Sequence, residues 1–156
     1  MVTLDPPLAS IAIPSGDTIR FPTRFYTSRP GPIVIKLFDE RTPVGAPGPL
    51  MTPAWIRRNL GLRIADVGPE RIIAGLPGFG YLWRANTPAV RVSLDEARRA
   101  AAQASVELVR DPSSGSLHAI QSNMWEIWIG DDETLRLLRA EAATLGVTEV
   151  AVFVKR

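Results

Sequence analysis

Ten of the 14 prolines lie within residues 1–53. Proline has no amide hydrogen to give to a ladder and fixes its own φ, so this stretch cannot be a run of central strands or long helices. It must be loops, turns and short strands, with the regular elements concentrated after it. The chain therefore reads as α+β in two parts. Residues 1–87 form a Pro-rich β region with an N-terminal antiparallel β-hairpin, extended arms and two short helices. Residues 88–156 form a ferredoxin-like βαββαβ sheet with two helices. The two parts can also be one continuous domain.

Within the first part, "DTIRFPTRFYT" (17–27) alternates, with Ile19, Phe21 and Phe25 on one face and Arg20, Arg24 and Tyr26 on the other. That period of two predicts a half-buried strand with an arginine-bearing outer face. "PIVIKLFDE" (32–40) reads as its antiparallel partner, joined through "SRPGP", and "RTPVGAPGPLM" (41–51) as a loop. Thr52 before Pro53 predicts a helix start, and Gly61 its end. Pro69 and Gly75 repeat that punctuation around a second short helix in "GPERIIAG".

The second part carries clearer signals. "AVRV" (89–92) is a short strand. Ser93 with Glu96 three residues on is a capping box opening the helix "LDEARRAAAQ". "VELVRD" is a strand and "DPSSGS" a turn. "LHAIQSNMWEIWIG" (117–130) is one long strand bulged near Ser122–Asn123. "DDETLRLLRAEAATLG" is a helix with Leu135, Leu138, Ala142 and Leu145 on one face. "VTEVAVFV" closes as a strand apolar on both faces, which predicts a central position.

The chain has 156 residues, 46% of them hydrophobic, enough for a core, and no run as long as a membrane span. The N-terminus has neither a basic n-region nor an apolar h-region, so no signal peptide is expected. This predicts a cytoplasmic or virion protein with no membrane partner. Cysteine is absent, which removes disulfides, thiolate metal sites and cysteine nucleophiles. Residues 1–87 carry a charge of +4 and residues 88–156 one of −2.

"RIIAGLPGFGYLWRA" (71–85) raises the question of phosphate binding. Its glycines, Gly75, Gly78 and Gly80, run GxxGxG, and no lysine occurs between Lys36 and Lys155. A Walker loop needs that lysine, and a dinucleotide fingerprint needs GxGxxG opening a helix. The stretch reads instead as a helix cap at Gly75, a type II turn at Pro77-Gly78 and a strand carrying Tyr81 and Trp83, with Gly80 allowing close backbone approach. His118 is the only histidine, and the nearby serines flank a turn without a nucleophile elbow. Asp131, Asp132 and Glu133 suit the first turn of a helix better than a metal site. No catalytic residue, cofactor or metal site is predicted.

These absences point to a non-enzymatic structural or interaction subunit of a larger assembly, homo-oligomeric or built with other protein subunits. Its most specific form is a bacteriophage virion component: a head-completion, decoration, tail or baseplate protein. The candidate interface residues are Arg20, Arg24, Arg29, Trp55, Arg57, Arg58, Trp83, Trp125 and Trp128, because tryptophan and arginine anchor interfaces. The alternative is a small nucleic-acid-binding or regulatory module using the arginine-bearing hairpin. A carboxylate-dependent enzyme ranks third.

Overall fold

The structure is a computed structural model. It describes the backbone of residues 2–4, 11–12 and 18–19, and both backbone and side chains of residues 30–155. Four strands, β1 (Val2–Leu4), β4 (Ile33–Lys36), β5 (Ile72–Gly78) and β11 (Glu149–Val154), form a parallel sheet in the order β1-β4-β5-β11. Between β1 and β4, the short strands β2 (Ile11–Ala12) and β3 (Thr18–Ile19) pair with each other. Five further strands form an antiparallel sheet: β6 (Gly80–Arg84), β7 (Thr87–Val92), β8 (Val109–Arg110), β9 (Leu117–Gln121) and β10 (Trp125–Ile129), in the order β7-β6-β10-β9-β8. Three α-helices complete the described residues: α1 (Pro53–Val67), α2 (Leu94–Gln103) and α3 (Asp132–Thr144). None of them is long and apolar enough to cross a membrane.

The parallel sheet takes its strands in chain order. That is the order of a singly wound β/α layer, which curves into a barrel; a doubly wound sheet reverses its order partway. Its helices lie on one face. Ile33, Ile35 and Leu37 from the β4 segment and Ile72, Ala74 and Leu76 from β5 pack with Ile56 and Leu60 of α1 and Leu138 and Ala142 of α3. The residues recur at i, i+2 along each strand, as one sheet face demands. Full burial of side chains such as Ile56 and Leu60 contributes about 1.5–3 kcal/mol each. The antiparallel sheet is an insertion between β5 and α3, with a smaller core of Leu82, Val92, Ala97, Ile127 and Ile129 beneath α2.

The mixed α+β character agrees with the sequence, but the ferredoxin-like arrangement does not form. Its expected last strand, β11, leaves the antiparallel sheet and pairs parallel with β5 from Glu149↔Ile73 to Val154↔Gly78. β11 is also not central among the described strands, since β5 is its one neighbour there. Among the described residues the expected antiparallel hairpin does not form; residues 20–27 of its first strand lie outside them. β4 lies between β1 and β5, parallel to both, and Thr18–Ile19 pairs with Ile11–Ala12.

Three local readings also change. "GPERIIAG" becomes a 3-10 turn at Pro69–Arg71 followed by β5, because this apolar segment is buried on both faces between two strands. Pro77 and Gly78 are accordingly the last residues of a strand and not a turn. Helix α1 starts as expected, with Thr52 Oγ1 accepting from the Trp55 amide at 3.1 Å. It passes Gly61, which faces solvent, and ends at Gly68, where φ is 81°. Residues 117–129 are a hairpin and not one strand, reversing at Asn123 with φ of 61°. The capping box expected at Ser93 forms; a second one, not read from the sequence, forms at Asp131 with Thr134, and Asp131 also receives Arg110 in an ion pair at 2.6 Å.

Two glycine substitutions separate crowding from helix propensity. A Cβ at Gly80 would run into the Trp128 carbonyl and lie 2.6 Å from Ile129 Cβ, whereas one at Gly61 meets nothing within 4 Å. Gly80→Ala is expected to destabilise the fold by about 1–3 kcal/mol. Gly61→Ala is expected to stabilise it by about 0.5–1 kcal/mol. Denaturant midpoints at constant m-value check both.

Candidate functional site

The carboxyl ends of parallel strands are where β/α folds gather functional groups. Here β4 is prolonged by Leu37, whose amide donates to the Gly75 carbonyl at 2.9 Å. The chain then turns sharply. Asp39 has φ of 69°, a left-handed conformation uncommon for a residue with a side chain. Its Oδ1 accepts a hydrogen bond from the Tyr81 hydroxyl at 2.7 Å. The next residue, Glu40, donates its amide to the Leu50 carbonyl at 3.0 Å and closes the base of loop 41–50. Glu40 Oε2 is buried and has no donor among the described residues. Two acidic residues therefore follow one another in the chain just past the end of β4.

Tyr81 reaches this point because β6 follows β5 after the single residue Phe79. Phe79, Tyr81 and Trp83 alternate along the chain and share one face of β6. Their rings continue a set of edge-on contacts that starts in the parallel sheet. Phe153 lies 5.4 Å from Phe38, Phe38 lies 5.4 Å from Phe79, Phe79 lies 5.7 Å from Tyr81, and Tyr81 lies 5.4 Å from Trp83. Each such pair is worth about 0.5–1.5 kcal/mol beyond its buried area. The Arg91 guanidinium, from β7, covers the Phe79 ring at 4.4 Å. Burial pushes the Tyr81 phenol up to about 12, the Asp39 carboxylate adds to the rise, and Arg91 opposes it. At neutral pH Tyr81 is thus a neutral donor that fixes the Asp39 side chain. The remaining acceptor capacity of Asp39 and Glu40 beside an aromatic wall suits a polyhydroxylated ligand.

The expected interface residues scatter. Arg20, Arg24 and Arg29 lie outside the described residues. Trp55, Arg57 and Arg58 stay together on α1: Trp55 packs against the helix–sheet core, Arg58 lies 5.8 Å from its ring, and Arg57 pairs with Glu141 at 2.6 Å. Trp83 is buried in the aromatic cluster, and Trp128 packs against it. Trp125 packs into the core on the opposite face of β10. The structure therefore packs Trp83 and Trp128 into one cluster and Trp125 into another, although Trp83 and Trp125 line one groove. His118 stacks on Trp128 at 4.7 Å.

Asp39, Glu40 and Arg91 were not singled out by the sequence, and Tyr81 was read as a strand aromatic without its hydroxyl partner. "FDE" after the apolar run "IVIKL" is the available signal, and it gains meaning once the strand is known to be parallel.

No family model and no curated relative matches the sequence. Solved structures do match in fold. The spore cortex-lytic enzyme SleL of Bacillus cereus matches with a TM-score of 0.79 and 18% identity, over 97% of this chain and 37% of that one. A chitinase from Chromobacterium violaceum matches with a TM-score of 0.75 and 17% identity, over 86% of this chain and 44% of that one. A class V chitinase from Nicotiana tobaccum, also solved in complex with NAG4, matches at 0.70 and 14%, over 97% of this chain and 50% of that one. The chain spans half or less of these three structures, and at such identities the likeness establishes the fold. It overturns the expectation of a non-enzymatic structural subunit or virion component: the architecture is one that glycan-degrading enzymes carry.

The Asp39–Tyr81 bond gives a measurable pH signature. Below pH 10 both folded and unfolded states keep the phenolic proton, and its stabilisation is complete. Between the free value of 10.0 and the folded value of about 12 the unfolded chain loses the proton first, so stability falls with rising pH. Tyr81→Phe is expected to lower stability by about 1–2 kcal/mol at neutral pH and to flatten this alkaline decline. Urea unfolding at a series of pH values from neutral to alkaline reads both effects.

Proposed function

We propose that this chain is part of a glycosidase-type protein that acts on a polymer of N-acetylated amino sugars, such as chitin or spore-cortex glycan. The observation that carries the reading is the Asp39–Tyr81 pair with Glu40 beside it, at the carboxyl end of a singly wound parallel sheet. The likeness to SleL and to chitinases over most of the chain supports it.

Glycoside hydrolysis needs one carboxyl group to protonate the leaving oxygen. A second either activates water or meets the oxocarbenium-like centre. Asp39 is held in one orientation by Tyr81, which suits a group that positions a sugar and stabilises positive charge. Glu40, with a buried oxygen lacking a donor, suits contact with a sugar hydroxyl or acetamido N–H, which would satisfy it. Half-buried Phe153 can offer apolar surface to the CH-rich face of a pyranose ring, with buried Phe38 and Phe79 packed behind it. Arg91 contributes a fixed cationic donor at the rim.

The test is calorimetric titration of the full chain with oligomers of N-acetylglucosamine. Saturable binding is expected, and Asp39→Ala should weaken it about ten-fold or more, the loss of a charge-assisted hydrogen bond. Wild-type protein that takes up no oligomer at millimolar concentration would sink the reading.

A further inference from the structure

β11 has the composition of an interior strand and sits at an edge. Residues 150–154, "VAVFV", hold no proline, glycine or charge. Apolar residues on both faces are the pattern of a parallel strand buried on both sides. β5 is such a strand, and most of its residues are buried; in β11 none is. Val150 packs against the helix–sheet core. Val152 and Val154 follow it on the same face by the period of two, yet they are 47% and 67% exposed. Natural edge strands are blunted by charges, proline, bulges or brevity. β11 uses none of these between its two ends: it keeps unbroken register with β5 from Glu149 to Val154. The lysine that follows it, Lys155, is engaged with Glu96 of α2 at 2.6 Å.

The opposite edge of the sheet is open in the same way. Among the described strands β1 has β4 as its one neighbour, paired in parallel, and β11 has β5. A singly wound sheet curves toward closure, and closure takes eight parallel strands. This sheet has four, so two copies supply the number. When β11 of each copy lies parallel to β1 of the other, one two-fold axis along the barrel uses both open edges of both copies. The result is a closed C2 assembly, the commonest kind of homo-oligomer. Antiparallel pairing of β11 with β11 would leave both β1 edges open to further growth and would break the parallel pattern.

We infer that β11 is a docking edge for β1 of a second copy of this chain, and that the dimer is a barrel closed from two half-barrels. Parallel closure keeps every carboxyl end on one side, so the Asp39–Tyr81 pairs of both copies open at one mouth. This inference concerns assembly and stands apart from the glycan reading.

The test is light scattering on the full chain over a dilution series reaching high micromolar concentration, with amide hydrogen exchange on the same samples. A dimer is expected. Its 149–154 amides should exchange about ten-fold or more slowly than those of the monomer, reached by dilution or by substitution. Val152→Lys with Val154→Lys, at exposed positions, is expected to be monomeric throughout and to keep the wild-type circular dichroism. Val154→Lys alone, at the more exposed position, takes its place if the double variant fails to fold. A wild-type monomer at every concentration, or a ladder of open oligomers, would overturn the inference. So would a dimer whose 149–154 amides exchange as fast as the monomer's, or a folded variant that still dimerises. A dimer that takes up no sugar would leave it standing while the glycan reading fell.

Discussion

The rest of the molecule depends on the parallel pairing of β5 with β11. The two strands are distant in sequence, and everything from Phe79 to Gly146 lies between them. Once they pair in register over six residues, three consequences follow. Helix α3 must return over the sheet and meet α1, forming the main core. The intervening chain must leave and re-enter at nearby points, which makes the antiparallel sheet an excursion with both its ends at the parallel sheet. And β5 becomes a strand with neighbours on both edges and burial on both faces. Gly75 then matters for its missing side chain, since a Cβ there would sit 2.9 Å from the Ile35 carbonyl oxygen and from the Phe153 ring. That ring begins the aromatic run leading to Tyr81.

The excursion is attached firmly. One residue separates β5 from β6, and the five rings from Phe153 to Trp83 cross the junction in continuous contact. On another side, Lys155 after β11 donates to both carboxylate oxygens of Glu96, at 2.6 and 2.7 Å. Glu96 belongs to the capping box of α2, and the Lys155 ammonium with the Ser93 amide holds its carboxyl down at about 2. The antiparallel sheet is thus tied to the parallel one by aromatic packing and by an ion pair. Asp39 lies at that seam, its side chain held by a residue of the second sheet.

Local chemistry was legible in the sequence, and long-range pairing was not. The capping box at Ser93, the acidic first turn of α3, the start of α1 at Thr52 and the inward face of α3 all depend on residues within a few positions of one another. Each was read correctly. The apolar run 149–154 was read as a strand, yet nothing in it states whether its partner is β10, close in sequence, or β5, far away. The nearer choice produced the ferredoxin-like expectation. The same ignorance hid the parallel character of β4, since apolar residues on both faces fit a hairpin and a parallel sheet alike. Asp39 was passed over for this reason: an acid after a strand is ordinary until its backbone conformation and its tyrosine partner on another sheet are seen. Tyr81 was seen as a buried aromatic, but its hydroxyl partner lies 42 residues away.

Those errors also explain the functional one. A search for clustered histidine, cysteine or metal ligands finds nothing here, and among the described residues no group of three such side chains gathers. Carboxylate chemistry leaves a fainter trace. Acids are common on every surface, so the acid that the proposed reading relies on is told apart by how it is held, and holding is tertiary. Asp39 is distinguished by three things: a backbone conformation its residue type seldom takes, a hydrogen bond from a tyrosine on another sheet, and a position at the end of β4. Each needs the fold before it can be seen. A site of this kind is specified by where strands end and which strands meet, so its sequence signature is dispersed over the residues that set the topology.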